Sequence, residues 1–150
     1  METMKGKIKA ICISPKKGVQ KKPVEKAEIR ENHGIVGDAH AAPGHRQISI
    51  LIDKSIDNVK DASDIEIVDG DFAENIIISG IDLKKLSVGT KFRLNGSIIL
   101  EITQFGKKCH DRCRIFEKAG VCAMADEGIF VKALSGGTFH KGDDMEVVND

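Results

Sequence analysis

Residues 106–124, GKKCHDRCRIFEKAGVCAM, gather three of the chain's four cysteines into one basic stretch. The thiolate is the form of cysteine that attacks sulfur and binds metal, and cationic neighbours favour it. Cys109 has Lys107, Lys108, His110 and Arg112 beside it in sequence, which makes it the candidate nucleophile, sulfur carrier or soft metal ligand. Cys113 could resolve a persulfide or sulfenate at Cys109 into a disulfide. Cys122 lies among Val121, Ala123 and Met124 and reads equally well as a small buried hydrophobe. A different reading takes Cys109, His110, Cys113 and Cys122 as a tetrahedral zinc set that stabilises a binding module. Against zinc, the stretch lacks the second close cysteine pair of a zinc ribbon.

A second polar stretch, NHGIVGDAHAAPGHRQISIL (residues 32–51), sets His33, His40, His45, Asp38 and Arg46 among glycines, just ahead of an apolar run. A site loop mounted on a rigid strand edge has this composition, and so does an ordinary turn-rich loop. Neither the P-loop nor the dinucleotide-binding glycine spacing occurs in it. Glu74 and Asn75 stand at the entrance of the apolar run IIIS, where such side chains commonly bond turn backbone. They are expected to be buried and to support the site loop.

Strands must position these groups. GKIKAICIS alternates, RQISILID sets Ile48, Ile50 and Ile52 on one face, and NIIIS is a short buried run. In TKFRLNGSIILEITQF, Asn95-Gly96 supplies the positive-φ pair of a type I′ hairpin between Phe92/Leu94 and Ile98/Leu100/Ile102. GIFVKALSGG and DDMEVVN form a further pair, with GGTFHKGD between them read as turns. Helix is confined to one segment near SIDNVKDA and one turn around RIFEKAG. Many short strands with frequent turns predict a mainly β fold, a closed barrel with a few short helices.

The 150 residues fit one domain spanning residues 1–150. With 23 basic and 23 acidic residues the chain has no excess charge to bind nucleic acid, and no apolar run predicts a membrane span. A cytoplasmic protein with reduced thiols is expected.

Three groups of motifs, in this order along the chain, resemble the MOSC domain, named for the C-terminal domain of molybdenum cofactor sulfurases. They are GIVGDAH with RQISIL, GDFAENIIISGIDL with LSVGTKFRL, and EITQFGKKCHDRC with GIFVKALSGGTFHKGD. The resemblance runs from about Gly6 to Val148, in the manner of small single-domain bacterial members. It implies a β-barrel-like fold and a role in molybdenum cofactor metabolism. By this likeness Cys109, after the strand ending Thr-Gln, carries sulfur as a persulfide or binds the cofactor's molybdenum as thiolate, with Cys113, His110 and Arg112 assisting. Phe105, Gly106 and Lys108 replace the prolines and arginine that many members have before this cysteine. Some relatives reduce N-hydroxylated compounds, which is the alternative activity implied. The molybdopterin phosphate and pterin would draw on Arg46, His40, His45, Gln47, Glu74, Asn75, Lys107 and Lys108. Arg46 is the phosphate fork, and Asp38 orients a histidine or arginine. Pyridoxal phosphate is not expected. The implied partners are a sulfur-donating desulfurase and a molybdoenzyme or cofactor-biosynthesis protein. Cys109 and the loop Gly37–Gln47 are expected to share one concave site at the barrel rim.

Timed iodoacetamide labelling with peptide mapping separates thiolate from zinc. A working Cys109 thiolate, its pKa below the ~8.5 of a free cysteine, alkylates first and ignores chelator. Structural zinc instead protects Cys109, Cys113 and Cys122 together until chelator releases them.

Overall fold

A computed structural model of the protein describes residues 4–16, 20–62, 66–70, 74–106 and 128–148. The predicted hairpin is formed by β7 (Lys91–Leu94) and β8 (Ile98–Phe105). Asn95 and Gly96 take φ of 53° and 74°, and the Ser97 N–H closes the turn on the Leu94 carbonyl at 3.2 Å. β8 pairs with β9 (Ile129–Ala133), β9 with β5 (Ile48–Ile52), and β5 in parallel with β6 (Ile76–Ser79). β6 pairs with β1 (Lys5–Ile13), and β11 (Asp144–Val148) joins β1 to β7, which closes a seven-stranded barrel. The short β2 (Lys22–Val24) adds to the far half of β1.

Alternation dictates the inside. Ile48, Ile50, Ile76, Ile78, Phe92, Leu94, Leu100, Ile102, Ile129 and Val131 fill the barrel core. The alternate residues of β5 and β6, Ser49, Leu51 and Ile77, are buried as well. The reason is the crossover that a parallel pair requires: α1 (Asp53–Ala62) follows β5 directly, and its Ile56 is buried. Outside α1, the described residues form one further helical turn, at Leu83–Lys85. The turn expected around RIFEKAG lies outside the described residues.

A small second sheet orders β10 (Gly137–His140), β3 (Lys26–Arg30) and β4 (Gly34–Ile35). Its Ile29, Ile35 and Phe139 belong to the barrel core, so this sheet plugs one opening. β10 corrects the reading of GGTFHKGD as turns alone. Gly136 is needed less for turning than for approach, since a Cβ there would sit 2.5 Å from the Ile29 carbonyl oxygen. β4 leads straight into the polar loop 36–47, and the plug sheet thereby sets where that loop begins.

β1 and β6 approach more closely still, with Gly6 placing a hypothetical Cβ 1.8 Å from the Ser79 carbonyl oxygen. Gly6→Ala must push the two strands apart, and overpacking of this kind costs about 1–3 kcal/mol or more. Urea unfolding of the variant should show that loss; an unchanged midpoint would contradict the packing described.

Candidate functional site

The loop 36–47 crosses the outer surface of the barrel from the end of β1 to the end of β8, and each end is nailed by side chains. At the β1 end, the Ala39 N–H donates to the Ser14 carbonyl at 2.7 Å. Asp38 folds back on the chain: its carboxylate accepts the Ser14 N–H at 3.1 Å and the His40 N–H at 3.2 Å, the latter an Asx-type turn. The same carboxylate meets the Lys21 ammonium at 2.6 Å, and both side chains are 1% exposed. Lys21 also reaches His40 Nδ1 at 3.0 Å and Ser14 Oγ at 3.4 Å. A buried lysine survives only with its charge paired and its donors satisfied.

Beneath this pair lies a second buried layer. Glu74, 0% exposed, accepts the Gly70 N–H at 3.0 Å. Asn75, 2% exposed, accepts the Ser49 N–H at 3.0 Å and donates to the Cys12 carbonyl at 3.1 Å. Both side chains thus bond backbone. Cys12 is buried in the same layer. Its burial, with Glu74 and Asp69 adding and Lys21 opposing, pushes the thiol up to about 12, which leaves it inert near neutral pH.

At the β8 end, Arg46 Nε donates to Gln104 Oε1 at 3.1 Å, and the guanidinium lies 5.4 Å from the Phe130 ring centre. The Thr103 hydroxyl donates to the His45 carbonyl. Gln47, 1% exposed, accepts the Ala133 N–H at 2.8 Å and donates to Asn32 Oδ1 at 3.0 Å and the Gly44 carbonyl at 3.2 Å. Two residues beyond Gln104, the Gly106 N–H donates to the Gly128 carbonyl at 2.8 Å. The two ends of the segment 107–127 are therefore joined next to Arg46.

The sequence candidates sort by burial. Asp38, Gln47, Glu74 and Asn75 are buried and bonded within the protein. His40 is half-buried, and His45 and Arg46 are exposed. Lys107, Lys108, Cys109, His110, Arg112, Cys113 and Cys122 lie outside the described residues. Lys21 went unseen in sequence, since a lysine in the run QKKP looks like any solvated one. Among the described residues no three His, Cys, Asp or Glu side chains converge to hold a metal, and no helix is long and apolar enough to cross a membrane.

The family model for the MOSC domain matches residues 22–146. Among solved structures, YuaD of Bacillus subtilis superposes with a TM-score of 0.81 at 20% identity, covering 97% of each chain. YiiM of Geobacillus stearothermophilus gives 0.74 at 15% identity over 96% of this chain and 75% of that one. YiiM of Escherichia coli gives 0.65 at 14% identity over 96% and 70%. At such identities the likeness is one of fold. No curated protein matches the sequence.

Burial pushes the Asp38 carboxyl up, but the Lys21 hydrogen bond, the Ser14 N–H, the ammonium charge and the Asn75 side chain together hold it below its ordinary value. A carboxyl lowered on folding adds its stability in full above the unfolded value of ~3.9 and loses it as pH falls through the folded one. Urea unfolding from pH 7 to pH 3 should show stability falling below about pH 4. Asp38→Asn should be weaker at neutral pH and lose less on acidification. Equal acid slopes in the two proteins would show that Asp38 is not the group responsible.

Proposed function

This chain belongs to the MOSC domain family, and from that membership we propose that it works in molybdenum cofactor metabolism. In this reading the loop 36–47 forms the anion-binding wall of the site, and Cys109 is its persulfide carrier or metal-binding thiolate. The observation that carries the reading is the Gly106–Gly128 hydrogen bond beside the Arg46–Gln104 contact. Cys109 is three residues past Gly106, and three residues span at most about 11 Å. That tether supports a shared site for Cys109 and Arg46.

The donors present fit an anionic, phosphate-bearing cofactor. Among the described residues Arg46 uses only Nε, on Gln104, and keeps its terminal nitrogens for a two-pronged bond to phosphate. His40, His45 and the backbone N–H groups around Gly37 and Gly44, whose φ are 90° and 136°, add donors along the same wall. A thiolate suits a soft or intermediate metal, and the bound cofactor would supply a redox-active molybdenum centre. The surface-facing side chains hold and orient the anion, and the buried ones hold the loop. A desulfurase that donates sulfur and a molybdoenzyme that receives sulfur or cofactor are the partners this role requires, in a cytoplasm that keeps the thiols reduced.

Intact mass and metal analysis of freshly purified protein test the reading. One added sulfur mapped to Cys109, or bound molybdenum, is expected, and either should vanish in a folded Cys109→Ser variant. Arg46→Ala should weaken cofactor binding roughly ten- to a hundredfold, the loss of a charge-assisted bond. Stoichiometric zinc with neither sulfur nor molybdenum would replace this function by a structural one.

A further inference from the structure

We propose that Gln104 is a positioning residue that locks the Arg46 guanidinium through Nε, so that the edge bearing its two terminal nitrogens is presented to an oxyanion able to accept two parallel N–H bonds. A break in the β8–β9 register makes this possible. Ile102 pairs with Val131 but Gln104 pairs with Phe130, so Thr103 is an extra residue on β8, a β-bulge. In an unbroken ladder Thr103 would pair with Phe130, and Gln104 would pair with Ile129 and share the face that Ile129 turns to the core. The bulge puts Gln104 on the face of Phe130 instead, where Arg46 lies.

The Gln104 amide has one arrangement that satisfies both neighbours. Arg46 Nε can only donate and the Gly106 carbonyl can only accept. Oε1 therefore takes the Arg46 Nε–H at 3.1 Å, and Nε2 donates to the Gly106 carbonyl at 2.9 Å. A flipped amide would set donor against donor and acceptor against acceptor. The guanidinium is a rigid plane, so the bond at Nε and the Phe130 ring centre 5.4 Å from it together fix that plane. The residue before it is held as well, because the Thr103 hydroxyl donates to the His45 carbonyl. Arg46 nevertheless stays exposed, and the freedom of its side chain is lost on folding rather than on binding. The Gly106 N–H bonds the Gly128 carbonyl at 2.8 Å, so one amide ties the arginine to the strand exit that leads to Cys109. The oxyanion part of the inference rests on the cofactor-site reading above.

Water-exchange rates of arginine Nε–H protons, read by proton–nitrogen NMR of labelled protein without ligand, report the bond directly. In wild type the Arg46 Nε–H should exchange more slowly than that of the exposed Arg30. Gln104→Met, which keeps the bulk and removes the acceptor, should lose this protection, and Gln104→Glu, which keeps an acceptor, should retain it. Wild-type exchange as fast as at Arg30, protection that survives in Gln104→Met, or equal loss in both variants would overturn the positioning role. Titration with inorganic phosphate gives the second readout. Affinity should fall about two- to tenfold in Gln104→Met, the cost of ordering one side chain on binding. Full affinity in Gln104→Met would overturn the service of Gln104 to an oxyanion. Failure of wild type to bind phosphate would overturn the oxyanion part, and with it the cofactor-site reading, while the ligand-free exchange rates still decide what Gln104 does.

Discussion

Everything at the candidate site depends on one ion pair removed from water, Lys21 with Asp38 at 2.6 Å. Burying two charges costs several kcal/mol per ion, and their attraction only roughly offsets it. Net stability is therefore a poor account of the pair, whereas location is a good one. Through Lys21 and Asp38 three separate stretches are tied together: the exit of β1 at Ser14, the approach to β2, and the start of the polar loop at His40. An apolar pair could pack in the same volume but would not specify which loop atom faces which strand. The directional bonds do.

The same division of labour runs along the whole loop. Buried polar side chains hold it, Asp38 at one end and Gln47 at the other, and the exposed His45 and Arg46 are left to meet solvent or a ligand. The support extends downward through Asn75, which joins β6 to the backbone of β5 and β1, and through Glu74, which holds Gly70. A loop of glycines, alanines and a proline would otherwise have little reason to keep one shape. Its shape comes from the surface it lies on.

Much of this was legible in the sequence because local chemistry and global fold agree there. Asn95-Gly96 announces its hairpin, and the isoleucines of β5 and β6 announce a buried sheet. Glu74 and Asn75 stood out at a strand entrance, and the loop from Gly37 stood out by composition. Lys21 did not, because burial of a lysine is a fact about its neighbours in space, and Ser14, Asp38 and His40 are remote in sequence. β10 was hidden for a related reason: the glycines beside it relieve contact with β3, and glycine in a sequence looks the same whether it serves a turn or a close approach. The role proposed for Cys109 was read from its basic sequence neighbours and the family likeness.

The closure of the barrel by β11 bears on how the protein is made. β1 pairs with β11 through Lys5–Glu146 and its neighbours, so β1 leaves the ribosome well before the strand that pairs with it. At about 5–20 residues per second that wait is on the order of ten seconds, during which β1 and β7 both lack a partner along one edge. Open edges recruit strands from other chains. β1 presents Lys5, Lys7 and Lys9 on its outward face, and the short strand that covers its far half carries Pro23. In the finished barrel Lys5 and Lys7 meet Asp144 at the surface. Their larger service comes before closure, as like charges that keep nascent chains from pairing with one another.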